Sequence, residues 1–299
     1  MGIVYALVNV LVFVLLAPLF EGVIRKVTAR VQSRKGPPVI QPYYDLLKLL
    51  GKQNLSAGNI AFHIAPMVAL ASILGVIVFL PLGYQANSLT KSADIITVVY
   101  LLTMGGVGVL LGAMASRNTY SLIGLSREMI TMIMVEPVLA MTFILGAIKV
   151  NSLGIAASVF GVAGGGYGVS VILMMASYLM ALMAFVGRPP FDTAEAEVEI
   201  LEGPFIEYSG PNYALFKYYL MLKQMFYAAL FVIVFIPPLR TGFYGADVLI
   251  QLAFVMGVIL VIALVGATNP RLRIDQTQKY YAVWVAASLV AVGLSVYGI

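Results

Sequence analysis

The sequence predicts an all-α integral membrane protein: a bundle of about eight transmembrane helices whose first, fifth and seventh loops form a docking face. Three observations carry this. Hydrophobic residues make up 61% of the 299 positions and charged residues only 10%, with a mean hydropathy of +0.98; soluble domains carry about 25% charged residues. Eight apolar segments reach the roughly 20 residues that a helix needs to cross a bilayer. Nearly all the cations fall in alternate connections between those segments.

The segments run at 3–24, 62–82, 94–115, 127–149, 168–187, 213–237, 245–266 and 279–298. The first, Ile3–Phe20 in its apolar part, is too long for a signal core and lacks a basic start, so it predicts a spanning helix. The fourth is the least apolar, because it contains Glu128 and Glu136. The whole chain, 1–299, reads as one transmembrane domain with loops at 25–61, 188–212 and 267–278.

Sidedness follows from Lys and Arg. The odd loops hold Arg25, Lys26, Arg30, Arg34, Lys35, Lys48, Lys52, Arg117, Arg127, Arg188, Arg271, Arg273 and Lys279, thirteen in all. The even loops hold three, Lys91, Lys149 and Arg240. By the positive-inside rule the odd loops face the cytoplasm and both termini lie outside the cell membrane. Lys217 and Lys223 sit inside the sixth segment.

The fifth loop holds six of the thirteen acids, Asp192, Glu195, Glu197, Glu199, Glu202 and Glu207. Such a cluster costs mutual repulsion and does little for orientation. As a helix, Glu195 and Glu199 share a face, as do Glu199 and Glu202. Pro189, Pro190 and Pro204 bound the run, which predicts a short helix or an irregular ledge. It reads either as a line of titratable groups or as a solvated acidic face for a basic partner.

Glu136 lies nine residues in from Arg127, about 13 Å deep and close to mid-membrane. Acids at that depth are rare and line ion paths or pair with a charge; the alternative is a protonated carboxyl bonded to a neighbouring helix. Lys223 lies about ten residues in from Asn212, at a similar depth. The two could form a proton-passing pair or a static one. Lys217, nearer the surface, can snorkel. Glu128 is expected in the first turn of its helix, where the dipole favours an acid.

In the first loop, turn signals at Gly36–Pro38 precede the amphipathic stretch 42–52, an expected interfacial helix. Glu21 and Arg25 form an i,i+4 pair at a helix end. Asp94 and Asp247 are expected as caps or first-turn charges, and His63 as structural. The run GVAGGGYG lacks a preceding strand and a Lys, so it is a weak phosphate motif. With no Cys and one His, the chain alone houses no thiolate chemistry, disulfide, Cys-ligated cluster or zinc site. Redox metal belongs to a partner if electrons move nearby. The net charge of +5 gives no reason to expect nucleic acid, since the basic residues gather on one membrane face.

Four motifs share an order with a known family. FDTAEAEVEILEGPFIEYSG resembles the signature loop of the complex I membrane subunit that bridges the two arms of that complex. SLIGLSREMITMIMVEP resembles its fourth-helix motif, with Arg127 and Glu136 on matching positions. PRLRIDQTQKYYAVW resembles its final motif, with Arg271, Arg273, Asp275 and Gln276 aligned, and RKGPPVIQPYYDLLKLLGK resembles its first loop. That first loop is contracted, as in energy-converting [NiFe] hydrogenases of the formate hydrogenlyase, Ech and archaeal membrane-bound types. Leu220 and Leu222 stand near where complex I tends to carry an acid, and Lys217 and Lys223 are added; both departures weigh against a quinone site.

The resemblance implies a non-catalytic anchor and coupling subunit. It would carry a cytoplasmic arm of hydrogenase large and small subunits and an iron–sulfur subunit, with the [NiFe] centre and clusters in those partners and none in this chain. Antiporter-like membrane subunits would be its neighbours in the bilayer, with reduced ferredoxin as electron donor and protons as acceptor. The implied ion path runs through Arg127, Glu128, Glu136, Asp192, Glu195, Glu197, Glu199, Glu202, Glu207, Lys217 and Lys223. The implied docking face holds Arg34, Gly36, Pro37, Gln41, Pro42, Asp45, Lys48, Arg188, Arg271, Arg273 and Asp275. Competing readings are a quinone-binding subunit of a complex I-like NADH or ferredoxin dehydrogenase, the matching subunit of a sulfur-reducing sister complex, and a pure anchor without an ion path. A stand-alone transporter fits worst, because no inverted repeat is apparent.

Overall fold

A computed structural model describes residues 2–55, 59–85, 89–90, 93–164, 166–237, 239 and 241–298. Eight of its helices are long and apolar enough to cross a membrane, and the chain is an all-α multi-pass membrane protein. The long helices are α1 (Gly2–Val31), α3 (Ile60–Phe79), α4 (Ile95–Ala115), α5 (Thr119–Val150), α7 (Val169–Val186), α9 (Gly210–Phe235), α10 (Tyr244–Thr268) and α11 (Ile274–Val296). Shorter helices are α2 (Gln41–Leu50), α6 (Ile155–Gly164) and the single turn α8 (Glu197–Ile200), with 3₁₀ turns at Leu82–Tyr84 and Gly203–Phe205.

Helix ends follow local chemistry. The Asn59 and Asn118 side chains accept from the amides of Ala61 and Tyr120, at 3.3 and 2.9 Å, and so cap α3 and α5. Asn151 and Gly187 close α5 and α7 in the left-handed conformation. With 30 and 32 residues, α1 and α5 are about 45 and 48 Å long, well beyond a ~30 Å hydrocarbon core. Both project from the basic face.

That projection revises two boundaries. The α1 helix continues through Arg25 and Arg30 to Val31, so the first connection starts later than its charges suggest. The α5 helix begins at Thr119, which places Glu128 in its third turn instead of its first. Charge marks where a helix leaves lipid, whereas capping marks where it ends. Of the expected outer-side features, Lys91, Arg240 and Gly165 of the glycine run lie outside the described residues; the start of that run belongs to α6.

The centre is α9, with 83% of its apolar stretch buried against 22% in α11. It packs on α1, α2, α3, α6, α7 and α10. The α5 helix packs on α4, α6, α7 and α11. Between α7 and α9 the chain forms a folded ledge on the basic face, with a cis Pro189–Pro190 peptide. Leu272 donates its amide to the Pro190 carbonyl at 3.0 Å, and Phe191 stacks on Tyr280 and Tyr281. These contacts pin the acidic connection to the start of α11.

Candidate functional site

The acidic connection lies over a cavity of about 360 Å³ that opens on the basic face. Its lining includes Glu21 and Arg25 from α1, Arg188, Asp192, Glu195 and Glu202 from the connection, Tyr213, Lys217 and Gln224 from α9, and Arg271. Most charges here are paired. Arg271 meets Asp192 at 3.0 Å, and Arg25 reaches Glu21 at 3.1 Å and Asp45 at 2.9 Å. Arg188 holds Glu21 from the other side and donates to the Gln224 carbonyl oxygen at 3.3 and 3.2 Å. Tyr213 donates to Glu202 at 3.1 Å, and the Lys217 ammonium lies 5.0 Å from the centre of the Tyr213 ring.

From this basin the site continues inward. A cavity of about 20 Å³ shares Glu195 with it and adds Glu128 and Lys223. The next, about 30 Å³, shares Glu128 and Lys223 and contains Glu136, Thr131, Tyr219 and Tyr227. Both are polar and large enough for a water molecule. Helical spacing explains the alignment: Tyr219, Lys223 and Tyr227 recur every four residues on one face of α9. Glu128 and Glu136, eight residues apart, lie about 12 Å apart along α5. Above Glu136, Phe185 stacks on Tyr227 with ring centroids 4.5 Å apart.

The ion pair of Lys223 is with Glu128, at 3.9 Å; Glu136 lines the same small cavity. On the outside, Arg127 pairs with Glu199 at 2.5 Å and donates to the Thr193 carbonyl at 3.3 Å, bracing the ledge against α5. Asn118 donates to Glu207 at 2.6 Å. The Glu197 side chain lies outside what is described. Asp192, Glu195, Glu202, Lys217, Glu128, Lys223 and Glu136 thus line connected space, while Arg127, Glu199 and Glu207 hold its outer wall.

Electrostatics separate two carboxyls. Glu195 is pushed up to about 8, first by burial and then by the nearby charges of Asp192 and Glu128, with Arg188 and Lys223 opposing. Burial alone would raise Asp45 too, but the Gln41 hydrogen bond at 3.0 Å and the Arg25 ion pair outweigh it and hold Asp45 below the usual carboxylate range. Among the described residues no three His, Cys, Asp or Glu side chains are placed to hold a metal ion.

The residues expected to dock a partner divide. Arg34, Pro37, Lys48, Arg271, Arg273 and Asp275 are exposed on the basic face. Pro42 is buried, Gln41 and Asp45 bond each other, and Arg188 faces inward to Glu21. Gly36 packs on α1 at Ala29. Glu21 and Gln224 belong to the basin although no motif marks them as functional. Arg25 four residues on offers Glu21 a sufficient local partner, and so hides the longer-range pair with Arg188. Gln224, a lone amide in an apolar helix beside Lys223, is the signal available for the other.

A bundle of eight spanning helices, one acid at mid-membrane and an acid-rich ledge over a polar cavity define a membrane subunit of the class that bridges the arms of complex I. A family model described as NADH dehydrogenase matches residues 3–296, and the chain belongs to that family. Formate hydrogenlyase subunit 4 of Escherichia coli strain K12 is 34% identical over 289 residues, which are 93% of this chain and 94% of that protein. Hydrogenase-4 component C of the same organism is 34% identical over 238 residues, 79% of this chain and 76% of that one. The H subunit of NADH-quinone oxidoreductase from Dehalococcoides mccartyi strain CBDB1 is 28% identical, over 92% of this chain and 78% of the relative. The fold also matches a chain in the structure of the membrane-bound sulfane sulfur reductase, an archaeal respiratory membrane complex. The TM-score is 0.86 at 26% identity, covering 98% and 99% of the two chains.

Proposed function

We infer that this chain, a membrane subunit of a hydrogenase-type or complex I-like respiratory complex, anchors a soluble redox arm on its basic face and couples electron transfer in that arm to ion movement. The kinship with formate hydrogenlyase subunit 4 and hydrogenase-4 component C supports the hydrogenase branch. In that branch the arm comprises hydrogenase large and small subunits and an iron–sulfur subunit. It carries the [NiFe] centre and clusters, and electrons pass from ferredoxin to protons. The basic face is then cytoplasmic, both termini are outside, and antiporter-like subunits adjoin the bundle in the bilayer.

The single observation that carries the coupling role is the shared lining of the three cavities, through Glu195 and then through Glu128 and Lys223. A carboxyl at each step, with water-sized space between, is what a proton needs to move from the basin to Glu136. Lys223 supplies a counter-charge that either acid can use in turn, so a negative charge at one step is balanced as it appears at the next. Arg127, Glu199 and Thr193 keep the ledge in register over this route. A redox event in the docked arm that shifts the ledge or its charge would change the protonation of Glu195, and so of the groups beneath it. Translocation of Na⁺ in place of H⁺ uses the same carboxylates and is separated by varying the two ions.

The test is Glu136→Gln in the intact complex reconstituted in vesicles. The substitution keeps size and removes ionisation, so hydrogen production should continue while the ion gradient formed per electron drops at least tenfold, the loss of one essential relay step. An unchanged gradient per electron sinks the coupling role and leaves an anchor. The D. mccartyi relationship supports a second reading, a quinone-reducing relative; stimulation of the purified complex by a lipid-soluble quinone would favour it.

A further inference from the structure

A second cavity on the basic face, about 270 Å³, lies between the end of α1 and the segment that follows it. Its charged lining is Arg25, Arg34, Lys35 and Arg188, and no carboxylate lines it. Arg25 and Arg188 also line the acidic basin, so these two guanidinium groups form the wall between the two spaces. Toward the basin they bind Glu21, Asp45 and Gln224 through Nε and Nη1 of Arg25 and Nε and Nη2 of Arg188. A guanidinium has five N–H donors, which leaves the other Nη of each for an acceptor in the second cavity. Arg34 and Lys35 are exposed, with no ion pair among the described residues.

The loop is built to hold these cations in place. Ser33 takes a left-handed conformation, and the Arg34 amide returns to the Ala29 carbonyl at 2.8 Å, which turns the chain back along α1. Gly36 then presses on Ala29 and Pro37 stiffens the wall.

We propose that this cavity receives a carboxylate from the docked soluble arm, an Asp or Glu side chain or a chain terminus, gripped by Arg34 and Lys35 and by the free ends of Arg25 and Arg188. The inference rests on the reading that an arm docks on the basic face. Four cations with no lining acid select an anion, and an arginine fork selects carboxylate or phosphate. The membrane side of the cavity excludes a phospholipid. There the Val39 carbonyl presses on Gly22 so closely that a Cβ would meet it at 1.8 Å, and Tyr43 donates to the Leu15 carbonyl. The segment 36–43 therefore covers α1, and an acyl chain has no track from the cavity into the bilayer. Because Arg25 and Arg188 are shared, the guest carboxylate and Glu21 compete for the same two cations. Docking thereby reaches the basin.

A water-soluble carbodiimide, which joins amines to carboxylates in contact, applied to the whole complex tests this with peptide mass spectrometry. The expected product links Lys35 to an Asp, Glu or C-terminal carboxylate of an arm subunit. Arg34→Glu with Lys35→Glu should weaken retention of the arm at ~0.15 M salt by roughly tenfold or more, as close interfacial charge pairs do. The control Lys26→Glu with Arg30→Glu, exposed cations outside the cavity, should change it far less. Links from Lys48, Lys52 or Lys279 to the arm without one from Lys35, and equal effects of the two double variants, overturn the cavity proposal while docking stands. No link from any of these lysines overturns both. Loss of bound anionic phospholipid from the Arg34→Glu/Lys35→Glu complex, with its arm retained, also overturns the proposal.

Discussion

Glu195 is the hinge of the route at the scale of single residues. It belongs both to the open basin and to the first enclosed cavity, and its carboxyl is pushed up to about 8 from an ordinary 4.5, chiefly by burial. Near neutral pH it is therefore mostly protonated, and it becomes charged as pH rises through about 8. Ion translocation per electron should show an inflection near that pH, and Glu195→Gln should remove it. The linked stability effect has a definite sign. Between 4.5 and 8 the folded carboxyl keeps a proton that the unfolded one has released, so this residue's contribution to stability shrinks as pH rises across the window. Melting of the Glu195→Gln complex should accordingly depend less on pH there. An inflection that survives the substitution assigns the titration to another group. Asp45 has the opposite bias: with Arg25 and Gln41 holding it charged, it supports the fold at neutral pH and loses that role only in acid.

Among elements, the contact of α5 with the 3₁₀ turn at Gly203–Phe205 sets where the acidic ledge lies. A Cβ on Gly124 would meet the Pro204 Cδ at 2.6 Å, the Gly203 Cα at 2.9 Å and the Pro204 nitrogen at 2.9 Å. The turn is backbone and proline ring and has no flexible end to withdraw. Gly124→Leu should displace it and lower stability by about 1–3 kcal/mol, read as a lower Tm, and should shift or abolish the pH 8 inflection because Glu195 moves with the ledge. Gly257→Leu on α10, where a Cβ meets nothing within 4 Å, is the control expected to change neither. An unaltered profile in Gly124→Leu would detach the ledge from the route. Spanning helices were legible because lipid demands long apolar runs. The central place of α9 was not: hydropathy sees apolar side chains alike, whether they face lipid or neighbouring helices. The same limit left the Glu128–Lys223 pair undecided against Glu136 and Lys223, since depth along each helix was readable and adjacency was not. Gly124, Glu21 and Gln224 matter through contacts far away in sequence or across helices, which no local pattern carries.

For the whole molecule, charge asymmetry and the route make one argument about direction. The loops that enclose the basin carry most of the chain's cations, and the basin opens on that same face. The positive-inside rule places that face in the cytoplasm, where the basin meets the compartment in which a soluble arm resides. The small cavities then lead from that compartment only as far as Glu136, under the stacked rings of Phe185 and Tyr227. Orientation can be tested without removing native residues, because the chain has no cysteine. Lys48→Cys on α2 and Tyr297→Cys after α11 are both exposed, the latter side chain at 82%. A membrane-impermeant maleimide added to whole-cell-derived right-side-out vesicles should label Tyr297→Cys and leave Lys48→Cys unlabelled until the vesicles are opened. In inverted vesicles the pattern should reverse. The opposite result would turn the basin toward the outside, and with it both the docking face and the sense in which carboxylates hand ions toward Glu136.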